Sequence, residues 1–169
     1  YFRARLGLAE SDEALLGSPF DYEKQMTIYV ETGLGDVNNL TEFVPRASAA
    51  ILKYLKMTHG KAFILFTSYK MMEQTHKITK HLIDDHGISI LCQGMHGSRR
   101  ALLSRFRHSK KTVLFGTSSF WEGVDIQGEA LSCVVIVKLP FAVPTDPIVQ
   151  ARAALVENSG GSSFNDYSV

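Results

Sequence analysis

Apolar and polar positions fall into regular blocks along the middle of this chain. Ala47, Ala50, Ile51, Tyr54 and Leu55 recur at helical spacing, and Gly60 punctuates their end, which predicts a helix. Ala62 to Phe66 (AFILF) is a short unbroken apolar run, the mark of a strand buried on both faces. Met71, Thr75, Ile78 and Leu82 line one face of a second helix that stops by Gly87. Ile88 to Leu91 (ISIL) is strand-like, and Leu102, Leu103 and Phe106 mark a third helix with Ser98 as its N-cap. Thr112 to Phe115 (TVLF) and Cys133 to Val137 (CVVIV) are two more runs of the buried type. A last helix starts at Asp146-Pro147 and carries Ile148, Ala151 and Leu155.

The four apolar runs begin at 62, 88, 112 and 133. Two of the three intervals hold an amphipathic helix; residues 116–130 show no clear one. Strand–helix–strand at this spacing predicts an α/β fold with a mostly parallel sheet and helices on both faces. Upstream, Gln25 to Glu31 (QMTIYVE) alternates and predicts a strand, while Gly33, Gly35, Asp36, Asn38, Asn39 and Pro45 make residues 33–45 read as a connection. The expected organisation is therefore the end of a preceding segment and a loop over 1–24, one α/β domain over 25–158, and a Gly/Ser-rich loop over 159–169.

Composition adds little: 169 residues, 45% hydrophobic and 21% charged, suit one soluble globular domain. No apolar run approaches the roughly 20 residues that span a bilayer, and no basic-then-apolar leader is present. Cys92 and Cys133 both sit in apolar runs, which points to two buried thiols in a reducing, cytoplasmic setting and not to a disulfide framework. Charge changes the picture more. The net +1 hides a block, residues 51–111, with twelve Lys/Arg against three acids and all six histidines. Such a block predicts a surface that meets a polyanion, or else the solvated faces of two or three helices.

In parallel sheets ligands bind beyond the carboxyl ends of the strands. That rule singles out Thr67-Ser68-Tyr69, Gln93-Gly94, Gly116 to Asp125, and Lys138 to Phe141. A phosphate cradle would read G-x-x-x-x-G-K-[ST] before a helix, but the one Gly-Lys pair, Gly60-Lys61, precedes a strand and has Leu55 where the first glycine belongs. The loop after TVLF is the richest: Thr117, Ser118 and Ser119, then Glu122, Gly123 and Asp125. Hydroxyls and amides at a strand end can grip a nucleic-acid backbone, and the same residues can equally form a hydroxyl-rich turn around a packed Trp121. Thr67 and Ser68 can cap the following helix or hold a phosphate at its N-terminus. Ser98-Arg99-Arg100 through Lys111 can lie along a phosphate backbone or simply face water. His76, His81 and His86, five apart, spread around a helix axis and do not converge on a metal; Cys92 and His96 are too isolated to form one.

The string Phe115 to Gly128, with Phe120-Trp121-Glu122-Gly123-Val124-Asp125 at its centre, resembles motif V of the DinG-type helicases, relatives of the XPD branch of superfamily 2. Val135 to Phe141, Pro144 and Asp146-Pro147 are similar to the family's stretch just downstream of that motif, Ala62 to Tyr69 to motif IV, and Ser18 to Tyr22 to the approach to the second motor domain. Gln93-Gly94 and the helix from Ser98 also fit. The resemblance implies a RecA-like second motor domain without its own Walker A, in a protein that hydrolyses ATP with magnesium and moves 5′ to 3′ on single-stranded DNA. It implies strand contacts by Thr67, Ser68, Gln93, Arg99, Arg100, Thr117, Ser118 and Ser119, and an ATP-cleft wall from Glu122, Gly123 and Asp125. The family's motif VI arginine string is not found; Gln150-Ala151-Arg152 does not match it. The reading is thus a domain cut before motif VI, with no catalytic residue of its own and no ATPase activity alone. Its mate is the first motor domain of the same chain, which would bind most of the ATP and Mg2+. An iron–sulfur cluster belongs to that first domain, and Cys92 and Cys133 do not match its ligands. The alternative is a non-catalytic helicase-like α/β module that binds nucleic acid or a protein.

Overall fold

A computed structural model describes residues 6–8, 10–126, 128–141 and 143–164. Arg3, Arg5, Gln127 of the motif string and the last five residues of the 159–169 loop lie outside the described residues. The chain divides into two compact units, Tyr1–Thr32 and Gly33–Val169. The first includes a short helix, α1 (Tyr22–Gln25), where the Ser18 hydroxyl accepts from the Phe20 N–H and Phe20 and Tyr22 rings lie 6.2 Å apart. The strand expected at 25–31 does not form: Met26 is extended, but the segment is exposed and pairs with no other strand. Alternation alone does not hold a strand without a neighbour to satisfy its backbone.

The second unit contains α2 (Leu40–Thr58), β1 (Ala62–Leu65), α3 (Tyr69–Asp84), β2 (Ser89–Cys92), α4 (Arg99–His108), β3 (Thr112–Gly116), β4 (Cys133–Ile136) and α5 (Pro147–Asn158). The strands form one sheet in the order β2-β3-β1-β4, and every pair is parallel. This is the α/β architecture expected from the spacing of the apolar runs. Among its described residues, the stretch between β3 and β4 carries two single-turn 3-10 helices, Ser118–Phe120 and Gly128–Ala130, and no α-helix, in line with the absence of a helical pattern there.

Residues of β1, with Phe66 just after it, alternate between two cores. Ala62, Ile64 and Phe66 pack with Phe43, Val44, Ile51 and Leu55 of α2 and Met71, Met72 and Ile83 of α3. Phe63 and Leu65 face the other way, onto Leu102 and Phe106 of α4 and Phe120. Two helices thus cover one face and one helix the other, so the loop after β3 must complete the second layer.

Helix α2 begins at Leu40, inside the segment read as a connection, and takes Pro45 into its second turn. Proline there forfeits one backbone hydrogen bond, at a cost of ~3 kcal/mol. Burial of Phe43 and Val44 offsets it, at roughly 1.5–3 kcal/mol for each large apolar side chain. The N-caps predicted for α4 and α5 are present: Ser98 accepts from the Ala101 N–H, and Asp146 from the Ile148 and Val149 N–H groups, with Pro147 in the first turn. The apolar face expected on α5 buries nothing; Ile148 and Leu155 are 64% and 69% exposed.

Candidate nucleic-acid and nucleotide interface

Because all four strands run the same way, the loops after β1, β2 and β3 meet on one rim. The chain order reverses at β1: β2 and β3 lie on one side of it and β4 on the other, the geometry at which open sheets place ligand crevices. Thr67 and Ser68 follow β1, Gln93 follows β2 and Thr117 follows β3.

The loop after β3 is tied down at both ends by packing. Phe120 is 2% exposed and lies edge-on to Phe63, with ring centroids 6.5 Å apart. Gly116 makes this possible, since a Cβ there would stand 2.7 Å from the Phe120 ring. Trp121 donates its indole N–H to the Phe66 carbonyl at 3.3 Å and packs on the same core as Val124 and Ile126. The sequence motif is therefore partly core: its aromatic pair seals one face of the sheet.

Gln93 fastens the loop from the side. Its Oε1 accepts from the Thr117 N–H at 2.7 Å and from the Thr117 hydroxyl at 3.0 Å. Its Nε2 donates to the Tyr69 hydroxyl at 2.7 Å and to Ser119 Oγ at 3.0 Å. A backbone N–H can only donate, so the Thr117 amide fixes which end of the side-chain amide faces it. All four hydrogen-bonding positions of Gln93 are then taken by protein groups. Thr117 is 4% exposed with its hydroxyl turned to Gln93, whereas Ser118 and Ser119 are exposed. Ser68 is exposed and its hydroxyl caps α3 by accepting from the Met71 N–H; Thr67 beside it is exposed as well.

Arg99, at the start of α4, reaches across the rim. Its Nε donates to the Ser119 carbonyl at 2.9 Å, and its Nη2 to the carbonyls of Glu122 and Gly123 at 3.2 and 2.9 Å. Its guanidinium carbon stands 5.7 Å from the centre of the Phe120 ring. Gly123 adopts φ +64°, a left-handed turn that favours glycine. Arg107 holds the Asp125 carbonyl at 2.6 Å and Arg105 the His96 carbonyl at 3.1 Å. Arg100 is exposed and takes no part in these bonds. The basic helix therefore spends three of its arginines on backbone carbonyls of neighbouring loops. The sequence places Tyr69 and Trp121 in rim loops and Arg105 and Arg107 on the basic helix, but shows none of these bonds; their partners lie 9 to 55 residues away, beyond any local pattern.

Glu122, Gly123 and Asp125 stand exposed on this loop, close in sequence to the exposed Ser118 and Ser119. They can form one wall of a nucleotide cleft but offer no phosphate cradle of their own. Cys92, on β2, and Cys133, on β4, sit on opposite edges of the sheet, three strand spacings and so at least roughly 14 Å apart, and cannot share a cluster. Both are free thiols; Cys92 is buried and Cys133 only half-buried, a correction to the expectation of two buried thiols. Burial pushes the Cys92 thiol up to about 11, with Glu73 adding to the shift, and raises that of Cys133. No group of three or more His, Cys, Asp or Glu able to hold a metal occurs among the described residues. Nor is any helix among them long and apolar enough to cross a membrane.

Beneath the Gln93 turn, His96 Nδ1 accepts from the Cys92 N–H at 2.9 Å, and the buried His76 ring packs 5.9 Å from the His96 ring. Burial holds His76 below its ordinary value, helped by His96 and Lys80 and opposed by Asp84.

The family model described as the helicase C-terminal domain matches residues 51–169, more than half of the chain. The chain is 36% identical over 169 residues to the ATP-dependent DNA helicase YoaA of Haemophilus influenzae, covering 100% of this chain and 26% of that protein. It is 33% identical over 170 residues to the 3'-5' exonuclease DinG of Bacillus subtilis, covering 98% of this chain and 18% of that protein. To the ATP-dependent DNA helicase DinG of Photobacterium profundum it is 31% identical over 176 residues, covering 100% and 25%. The chain thus spans 18% to 26% of the length of these relatives.

Proposed function

Because the chain belongs to the helicase C-terminal domain family, we propose that it is the second motor domain of an ATP-dependent DNA helicase. The single observation that supports this reading most is the loop after β3. Within ten residues it presents two exposed hydroxyls, Ser118 and Ser119, and then Glu122, Gly123 and Asp125, on a base fixed by Phe120 and Trp121.

In this reading Ser118, Ser119, Thr67 and Ser68 meet the phosphates of a single DNA strand, and Arg100 adds a charge contact. Thr117 and Gln93 act beneath them, holding the hydroxyls in register. Glu122, Gly123 and Asp125 form one wall of the cleft that closes on ATP. The first motor domain of the same protein supplies the phosphate cradle, most of the ATP and Mg2+ contacts and any iron–sulfur cluster. Cleft closure would then move the strand-facing hydroxyls, because both sets of residues ride on one anchored loop. Movement runs 5′ to 3′, and the protein works in the cytoplasm.

The test uses the complete protein. Ser118→Ala with Ser119→Ala should weaken single-strand binding and strand-stimulated ATP turnover while sparing basal turnover. Strand affinity should also fall steeply with salt, as phosphate contacts release counterions. Unchanged strand binding in the double variant removes this loop from the DNA path.

A further inference from the structure

Arg99 bonds to both of the loop segments after β3 that this reading distinguishes. On one side its Nε holds the carbonyl of Ser119, the strand-facing half. On the other its Nη2 holds the carbonyls of Glu122 and Gly123, the cleft-facing half. Those three acceptors lie 20, 23 and 24 residues from it in sequence. Its guanidinium carbon lies 5.7 Å from the ring centre of Phe120, the residue between the halves, which is itself buried. Gly123 turns its carbonyl toward Arg99 through a left-handed backbone.

We propose that Arg99 is a positioning residue that couples strand contact to the nucleotide cleft by fixing Ser119 and Glu122–Gly123 in one frame. The role rests on the reading of this chain as a motor domain. It differs from the role expected of Arg99 on sequence grounds, a phosphate contact. A planar fork suits this task, because donors on two different nitrogens, Nε and Nη2, serve the carbonyls of Ser119 and of Glu122 and Gly123, which flank Phe120 in sequence. An ammonium carries the same charge on a single nitrogen and cannot present that fixed fork to the three acceptors. A phosphate contact through the remaining guanidinium nitrogen is the competing role, and it asks for charge more than for shape.

Two substitutions separate these roles in the complete protein: Arg99→Ala and Arg99→Lys. Thermal melting of each variant confirms that it folds, which the exposed position of Arg99 favours. Steady-state ATP turnover is measured with and without a single-stranded oligonucleotide, and strand affinity is followed across a salt series. If Arg99 positions the loop, both variants lose roughly 10- to 100-fold of the strand-stimulated kcat, in keeping with the cost of a misplaced reacting group. Lysine then fails to rescue, and the slope of log affinity against log salt stays at the wild-type value. If Arg99 instead contacts phosphate, lysine restores most of the turnover and Arg99→Ala flattens the slope by about one; that result overturns the proposal. Unchanged stimulated turnover in Arg99→Ala overturns it too. A wild-type protein that shows no strand-stimulated turnover at all overturns the motor reading beneath it, and is distinguished by failing before any substitution is made.

Discussion

Strands β3 and β4 both pair with β1 in the same direction, yet they lead very different lives. Strand β3 lies between β2 and β1 and is buried at all five positions. Strand β4 is an edge: Cys133 and Val135 turn inward onto the core, while Val134 and Ile136 are exposed. The contrast continues beyond the end of each strand. The loop after β3 is locked by Phe120, Trp121, Gln93 and Arg99, whereas α5, downstream of β4, buries no residue. The apolar runs TVLF and CVVIV look alike, so the difference comes from position in the sheet and not from composition. The central strand β3 carries the locked loop, while the half-exposed edge strand β4 is followed by a helix that buries nothing.

Substitutions can break or sharpen that contrast. The largest effect is expected from Phe120→Ala, which empties a buried aromatic site on the thinner face of the sheet and should cost about 3–5 kcal/mol in urea unfolding. A loss below about 1 kcal/mol, the level of an ordinary surface change, would mean that the loop is not part of the core.

A smaller effect is expected from pH. His76 is held below its ordinary value of 6.5, so its contribution to stability is complete above about 6.5 and is lost as pH falls through the lowered folded value. Besides His96, the charged groups that act on it are Lys80 and Asp84. The difference in unfolding free energy between the wild type and His76→Gln should therefore shift in the variant's favour as pH drops from 7 to 5. A pH-independent difference would remove His76 from the acid response.

The smallest effect is expected on the other side of the sheet. Leu155→Ala should change the stability of this chain by no more than about 0.5 kcal/mol, because the side chain is exposed. A loss of several kcal/mol would show that α5 packs against something in solution and would erase the contrast.

The sheet was legible because two of its strands, β1 and β3, are buried on both faces, and full burial writes a continuous apolar run. Helix ends marked by side-chain caps, Ser98 and Asp146, were legible for a related reason: the signal is local. Pro45 and the glycine- and asparagine-rich stretch before it hid the first turns of α2, where burial of Phe43 and Val44 outweighs a local breaker. The 25–31 alternation misled because a strand needs a partner, and periodicity says nothing about one. At the site, the loops themselves could be placed from strand ends, but their wiring could not. Gln93 and Thr117 are 24 residues apart, and Arg99 reads as a free cation until its carbonyl partners are seen. His76 and His96 likewise meet only because α3 and the turn after β2 pack together.

The most direct test of the strand-contact rim is hydrogen–deuterium exchange on the complete protein, with and without single-stranded DNA. Slowed exchange is expected in peptides covering 67–69 and 117–123, with unchanged exchange over 147–158. Protection over 147–158 with none at 67–69 and 117–123 would contradict that placement of the strand.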